Sequence, residues 1–235
     1  MPDFNYENPA NIEGSPLCSP EEQLFTAVLE GLAYDGYAGL DMENIGKRSG
    51  QLLLAESYKT KMKLCRAALI DAADRMRLAY MGITEEARAY LETEKKGGIK
   101  KQQDEGWKQL ERLLYRHIYL CFHPKNRVYV LVAGQEGQLP EELSRILPDA
   151  RNRYFGEVLS RMILAVSEVK SRQLSAMIAC SICGGIDIFV HEPEYCKELY
   201  NRQTGQEPNY ALVEDLMNNY FLRAVAANTA VNKLF

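Results

Sequence analysis

"GYAGLDMENIGKRSGQLLLAESYKTKMKL", residues 36–64, decides the fold. Two short runs with apolar periodicity, Leu40–Arg48 and Leu52–Ser57, flank Gly50, and a third run leads away from Lys59. Glycine commonly ends a helix in the left-handed conformation, so the stretch predicts a helix, a turn, a second helix and then a longer one. The preceding run, "SPEEQLFTAVLEGLAYDGY" from Ser19 to Tyr37, supports this. Ser19 is a helix N-cap, Pro20 occupies the first helical position and Glu22 completes a capping box. Leu24, Phe25, Val28, Leu29 and Leu32 then recur at helical spacing.

Helical periodicity continues downstream. A helix is predicted over Lys59–Met81, with Leu64, Ala68 and Ala72 on one stripe. A break follows at Met81–Gly82, and Thr84 caps a helix through Thr93. "EKKGGIK", 94–100, is a linker by its glycines and charge. "DEGWKQLERLLYRHIYLCF", 104–122, is periodic through Trp107, Leu110, Leu114, Ile118 and Cys121, and Pro124 closes it. "NRVYVLVAGQEGQLP", 126–140, has strand-like composition but lies between helices with no clear pairing strand, so a helix is predicted. A helical turn at 140–148, two long helices at 149–170 and 171–190, a loop with one turn at 191–209 and a last helix from Tyr210 to Asn232 complete an all-α chain of about nine to ten helices. Residues 1–15 show no apolar period and are expected to form a mobile arm.

Composition narrows the function. With 235 residues, 46% of them hydrophobic, and a net charge of −4, the chain can bury a substantial core in one or two domains and is no nucleic-acid-coating protein. No basic-then-apolar leader opens it, and the longest uncharged apolar stretch, Leu174–Ile186, is short for a bilayer. A cytoplasmic protein with no membrane partner is expected. The six cysteines are scattered, several in apolar surroundings, as buried free thiols would be, and the C-x-x-C at Cys180 and Cys183 has no second ligand pair for zinc. G-x-S-x-G, P-loop, H-E-x-x-H and paired E-x-x-H motifs are absent, so neither an enzyme nor a cofactor is expected.

Two motifs carry a resemblance. "DGYAGLDMENIGKRSG", 35–50, has Gly-Tyr before a small-residue turn, then Ile, a basic pair and Gly; "SYKTKMKL", 57–64, has an aromatic residue followed by Lys61 and Leu64 at matching spacing. Together with the order and lengths of the first helices, they resemble the DNA-binding domain of the TetR (tetracycline repressor) family of bacterial transcription regulators. The likeness covers about 50 residues. It implies an arm at 1–16, a helix-turn-helix head at 17–64 and an effector-binding, dimerising body at 65–235. It also implies a homodimer whose heads enter major grooves at two half-sites. The implied function is ligand-responsive regulation, as a repressor, with DNA and a small-molecule effector as partners. Lys47, Arg48, Lys59 and Lys61 would grip phosphate, and Gln51, Ser57 and Tyr58 would offer hydrogen bonds.

Two features depart from the pattern. The stretch "QLLLAES" between Gly50 and Tyr58 is about two residues short, so either the turn or the start of the recognition helix is clipped. Leu52, Leu53 and Leu54 offer no hydrogen bond to a base edge and are expected to pack inward rather than meet thymine methyls. Upstream, residues 1–46 hold nine acids and no Lys or Arg. Because phosphate neutralisation supplies most non-specific affinity, weakened DNA binding follows. The alternative is the same fold without operator binding, serving as a small-molecule or protein-binding module. In the body, Trp107, His117 and Glu136 are candidate ligand contacts. Ala176, Ala179, Cys183 and Gly184 fall near one helix face suited to close packing at a dimer seam, a reading preferred to a dithiol switch at Cys180 and Cys183.

Overall fold

The computed structural model describes residues 19–93, 99–123, 126–135, 137–167, 169, 171–205 and 218–227. Among them every regular element is a helix. The first four, α1 (Pro20–Tyr34), α2 (Gly36–Gly39), α3 (Met42–Ser49) and α4 (Leu52–Ser57), form the head. The α1 capping box forms as the sequence predicts: Ser19 Oγ accepts from the Glu22 amide and the Glu22 carboxylate accepts from the Ser19 amide, both at 3.1 Å. Leu24, Val28, Leu29 and Leu32 are buried and, with Leu40, Ile45 and Ala55, make the head's core.

Gly50 ends α3 at φ +70°, where a side chain would be strained. Its amide bonds to the Lys47 carbonyl at 3.2 Å and the Gln51 amide to the Gly46 carbonyl at 2.8 Å, the pair of bonds of a Schellman motif. Only Gly50 and Gln51 separate α3 from α4. The two helices then pack very closely: a Cβ on Gly46 would sit 2.9 Å from Leu52 Cα and 3.2 Å from Ala55 Cβ.

Helix α5 runs unbroken over Lys61–Thr93, so the expected boundary at 64/65 falls inside it and head and body share one rod. The expected break at Gly82 does not occur. Gly82 meets no neighbouring atom, so it costs the helix only its lack of propensity. Thr84 does not cap a new helix; its hydroxyl donates back to the Tyr80 carbonyl at 2.9 Å. The buried stripe Met76, Tyr80, Thr84, Ala87 passes straight through.

The body adds α6 (Ile99–Phe122), α7 (Arg127–Ala133), α8 (Glu141–Ser144), α9 (Ile146–Arg151), a π-helical turn (Asn152–Gly156), α10 (Glu157–Val166), α11 (Arg172–His191) and α12 (Pro193–Thr204). Residues 218–227 are also helical. The long helix expected over 149–170 forms with a π turn in it: α9, the π turn and α10 run on without a break from Ile146 to Val166, with helical backbone at each junction. One further expectation is corrected. Residues 191–209, expected as a loop, contain α12, which starts with Pro193 at a position that tolerates it and stops at Gly205 with φ +68°. Helix α7 forms where strand-like composition competed with helical context.

Head and body are joined beyond α5, because α1 packs on α7 as well. Arg75 of α5 donates to Glu22 and to Asp71, each at 2.7 Å, and Gln135 beyond α7 donates to the Ala33 carbonyl at the end of α1, at 2.8 Å. At the other side of α7, Arg127 donates to the Val190 carbonyl of α11 at 3.2 Å. Helix α11 is long and apolar enough to cross a membrane by length and composition, contrary to the expectation drawn from Leu174–Ile186. It nonetheless buries Ser175, Ala179, Ile182, Ile186 and Val190 against the body.

Candidate nucleic-acid interface and ligand cleft

The cations of the head and of the start of α5 divide into three groups. Lys47 and Arg48, in the last turn of α3, are exposed but paired: Lys47 with Glu43 at 2.5 Å, Arg48 with Glu30 at 3.4 Å and Asp35 at 3.8 Å. The acids counted upstream therefore neutralise the basic pair. Exposed pairs are worth at most about 1 kcal/mol, so a phosphate could still draw these cations away.

Lys61 is different. Its ammonium donates to the carbonyls of Tyr37 at 2.8 Å and Leu40 at 3.1 Å and lies 4.5 Å from the centre of the Tyr37 ring. It closes the end of α2 onto α5. Two of its three N–H donors are thus engaged by the head's own backbone rather than turned to solvent, where a phosphate grip would need them.

Lys59, Lys63 and Arg66 make up the third group. All are exposed, and none forms an ion pair among the described residues. Lys63 and Arg66 are one turn apart on α5. Lys59 stands in the link between α4 and α5 at φ +64°, the one non-glycine residue with positive φ among the described residues. Exposed cations thus follow α4: Lys59 in the link after it, then Lys63 and Arg66 on one face of the start of α5.

The expected hydrogen-bond donors are less available. Gln51 donates from Nε2 to Gln23 Oε1 at 2.9 Å, and the Ser57 hydroxyl donates to the Leu54 carbonyl at 2.6 Å. Tyr58 is half-buried, edge-on to Phe25 with ring centres 6.1 Å apart, and burial, then the charge of Glu21, raises its pKa. The leucines also divide. Leu52 lies over Gly46 and Leu54 packs on the core, as expected, but Leu53 is 82% exposed, contrary to the inward packing expected of it. A helix face held so close to α3 leaves no room for a third leucine.

In the body, the candidate ligand contact His117 lines neither of the cavities described below. It is fully buried instead, its ring stacked on Phe155 at 3.9 Å between centres and its Nδ1 hydrogen-bonded to the Tyr80 hydroxyl at 2.6 Å. The π turn that precedes α10 carries Phe155 into that stack. Burial, aided by the charge of Arg151, lowers the His117 pKa to about 3, so the ring is neutral. Trp107 is half-buried against the core, and Glu136 lies outside the described residues.

The polar centre of the body is instead an ion pair separated by 36 positions. Arg151, at the end of α9, donates from Nη1 to Asp187 Oδ2 of α11 at 2.6 Å. Both line a cleft of about 610 Å³, together with Asn152, Ser160, Cys180 and Cys183. Arg151 also lines a small inner cavity of about 30 Å³ with Tyr80, Cys121, Tyr129 and Val130. The pair had a signal in the sequence: Asp187 is the one charged residue from Leu174 to Val190, and a charge in an apolar helix needs a partner. Cys65 and Cys121 are buried free thiols, as expected, whereas Cys180 is exposed. Burial pushes the Cys183 thiol up to about 12, far from the range of a reactive thiolate.

No family model and no curated protein matches the sequence. Among solved structures, a TetR-like transcriptional regulator from Rhodococcus sp. RHA1 is similar over 90% of this chain and 98% of its own, at 17% identity and a TM-score of 0.56. A bacterial regulatory protein in the tetR family, from Rhodococcus RHA1, is similar over 89% of this chain and 98% of its own, at 15% identity and a TM-score of 0.54. The head with its two-residue turn and the helical body behind it together make a TetR-like, all-α fold.

Proposed function

We propose that the protein is a ligand-responsive transcriptional repressor that binds DNA as a homodimer, with a head at 17–64 and an effector-binding, dimerising body at 65–235. The observation that carries the reading is the row of open cations, Lys59, Lys63 and Arg66, beside a recognition helix. Their place beside α4 suits phosphates flanking a major groove, with Lys47 and Arg48 recruited from their exposed ion pairs.

Dimerisation is supported by α11. Met177 is 66% exposed, and with Cys180, Ser181, Gly184 and Ile188 it forms an exposed, mostly apolar stripe at spacings of three, four and seven residues. Such a stripe is self-complementary across a two-fold axis. For the effector, the cleft at Arg151 and Asp187 takes the place first given to His117. Arg151 touches both the cleft and the inner cavity, Tyr129 and Val130 of α7 line that cavity, and α7 packs on α1. A ligand that draws Arg151 from Asp187 would move α7 against the head.

A second reading, the same fold with operator binding lost, is favoured by the acids around Lys47 and Arg48 and by the turned-in Lys61. Binding of a random duplex, measured by fluorescence anisotropy across a salt series, separates the two. Each phosphate contact contributes about −0.9 to the slope of log K against log salt. A K59A/K63A/R66A dimer should therefore show a slope shallower by about 5. No binding by the parent protein even at low salt would favour the second reading.

A further inference from the structure

Of the six side chains of α4, Leu53, Glu56 and Ser57 are exposed and share one face, Leu52 and Leu54 are half-buried and Ala55 is buried. The Ser57 hydroxyl is spent on the Leu54 carbonyl. Glu56 accepts hydrogen bonds but cannot donate them, and it would repel phosphate. Gln51, just before the helix, is tied to Gln23. This face therefore has no spare donor for a purine N7 or O6, and Glu56 keeps it off the sugar-phosphate backbone. The apolar side chain on this face is Leu53, in the first turn, 82% exposed.

A single exposed leucine is ordinary on a protein surface. This one differs in its setting, because the exposed cations Lys59, Lys63 and Arg66 follow the same short helix, in the link after it and on the first turns of α5, and would hold the head against a duplex. In the major groove the one apolar group on any base edge is the thymine C5-methyl.

We propose that Leu53 is a specificity-determining residue, and that it selects sites with a thymine methyl at its position in each half-site. The inference rests on the DNA-binding reading above. It makes the short, donor-poor recognition helix a reader of shape and methyl groups.

The test starts from DNA selected out of a random duplex pool at low salt by the full-length protein. Each thymine of the selected site is then replaced by deoxyuridine, which removes only the methyl group, and affinity is measured by anisotropy. For the parent protein, one thymine per half-site should cost about fourfold when replaced, from the burial of one methyl group. Leu53→Ala should bind the thymine site about fourfold more weakly per half-site and lose nothing further on the deoxyuridine site. With a side chain 82% exposed, the variant should melt like the parent, which controls for folding. A parent protein that binds thymine and deoxyuridine sites equally at every position overturns the proposal. So does an L53A protein that keeps the parent's methyl sensitivity. A pool in which no sequence is enriched overturns base reading by Leu53 while leaving non-specific DNA binding, measured by the salt series, as a separate result.

Discussion

Lys59 combines two properties that seldom meet in one residue. Its backbone sits in the left-handed region at φ +64°, where a non-glycine residue costs on the order of 1 kcal/mol, and its side chain is an exposed cation with no ion pair among the described residues. Glycine would serve the backbone better. Lys59→Gly should raise the stability of the protein by up to about 1 kcal/mol and, on the proposed function, weaken DNA binding and flatten its salt dependence. Chemical denaturation and anisotropy on the same preparation check both halves. A variant that is less stable would show the left-handed conformation to be held by contacts of the lysine itself. Lys61, two residues on, illustrates the limit of reading charge from sequence. A lysine in a basic cluster gives no local sign that its ammonium will close a neighbouring turn, because the acceptors are carbonyls of Tyr37 and Leu40, more than twenty positions away.

At the scale of elements, glycine decides two outcomes in opposite directions. At Gly46 the neighbouring helix leaves no space for a methyl group, and Gly46→Ala should destabilise the head by about 1–3 kcal/mol by overpacking. At Gly82 the surroundings are open, and Gly82→Ala should stabilise α5 by about 0.5–1 kcal/mol. Thermal melting of the two variants checks the pair, and equal effects would remove the packing distinction. The same two residues show what the sequence could disclose. The helix-turn-helix was legible because its signals are local: a capping box, an apolar period and a glycine stop. The continuity of α5 was not, because Gly82 and Thr84 carry the local marks of a break and only the buried stripe through Met76, Tyr80 and Ala87 overrides them. The cleft was legible in part, through the isolated charge of Asp187, but its partner Arg151 lies in another element that nothing local links to it.

The whole molecule should respond to acid in two stages. His117 has its pKa lowered to about 3, so its unfolded form binds a proton first and native stability falls from about pH 6.5 downward, until the native ring also titrates near pH 3. Glu22 has its pKa lowered by the hydrogen bond from Arg75 and then by the Ser19 amide. Its contribution is present above the ordinary carboxylate pKa and is lost as pH falls through the lowered one. The His117 contribution is on the order of 4–5 kcal/mol over its window. His117→Phe should remove the dependence between pH 6.5 and about 4.5 and leave the lower limb, as followed by unfolding free energy against pH. An unchanged profile would mean that His117 is not the group that resists protonation.

The 33 residues of α5 form a rod about 50 Å long, with its near end in the head and its far end beside α6 and α10. An unbroken helix of that length works as a lever. Each degree of tilt about its distal end carries the head through about 0.9 Å. Two such beams in a symmetric pair, each swinging by four degrees, would alter the distance between reading heads by about 7 Å, a fifth of the helical repeat of DNA. In the proposed dimer, small angular play at the remote end would thus be enough to put two heads in or out of step with the grooves.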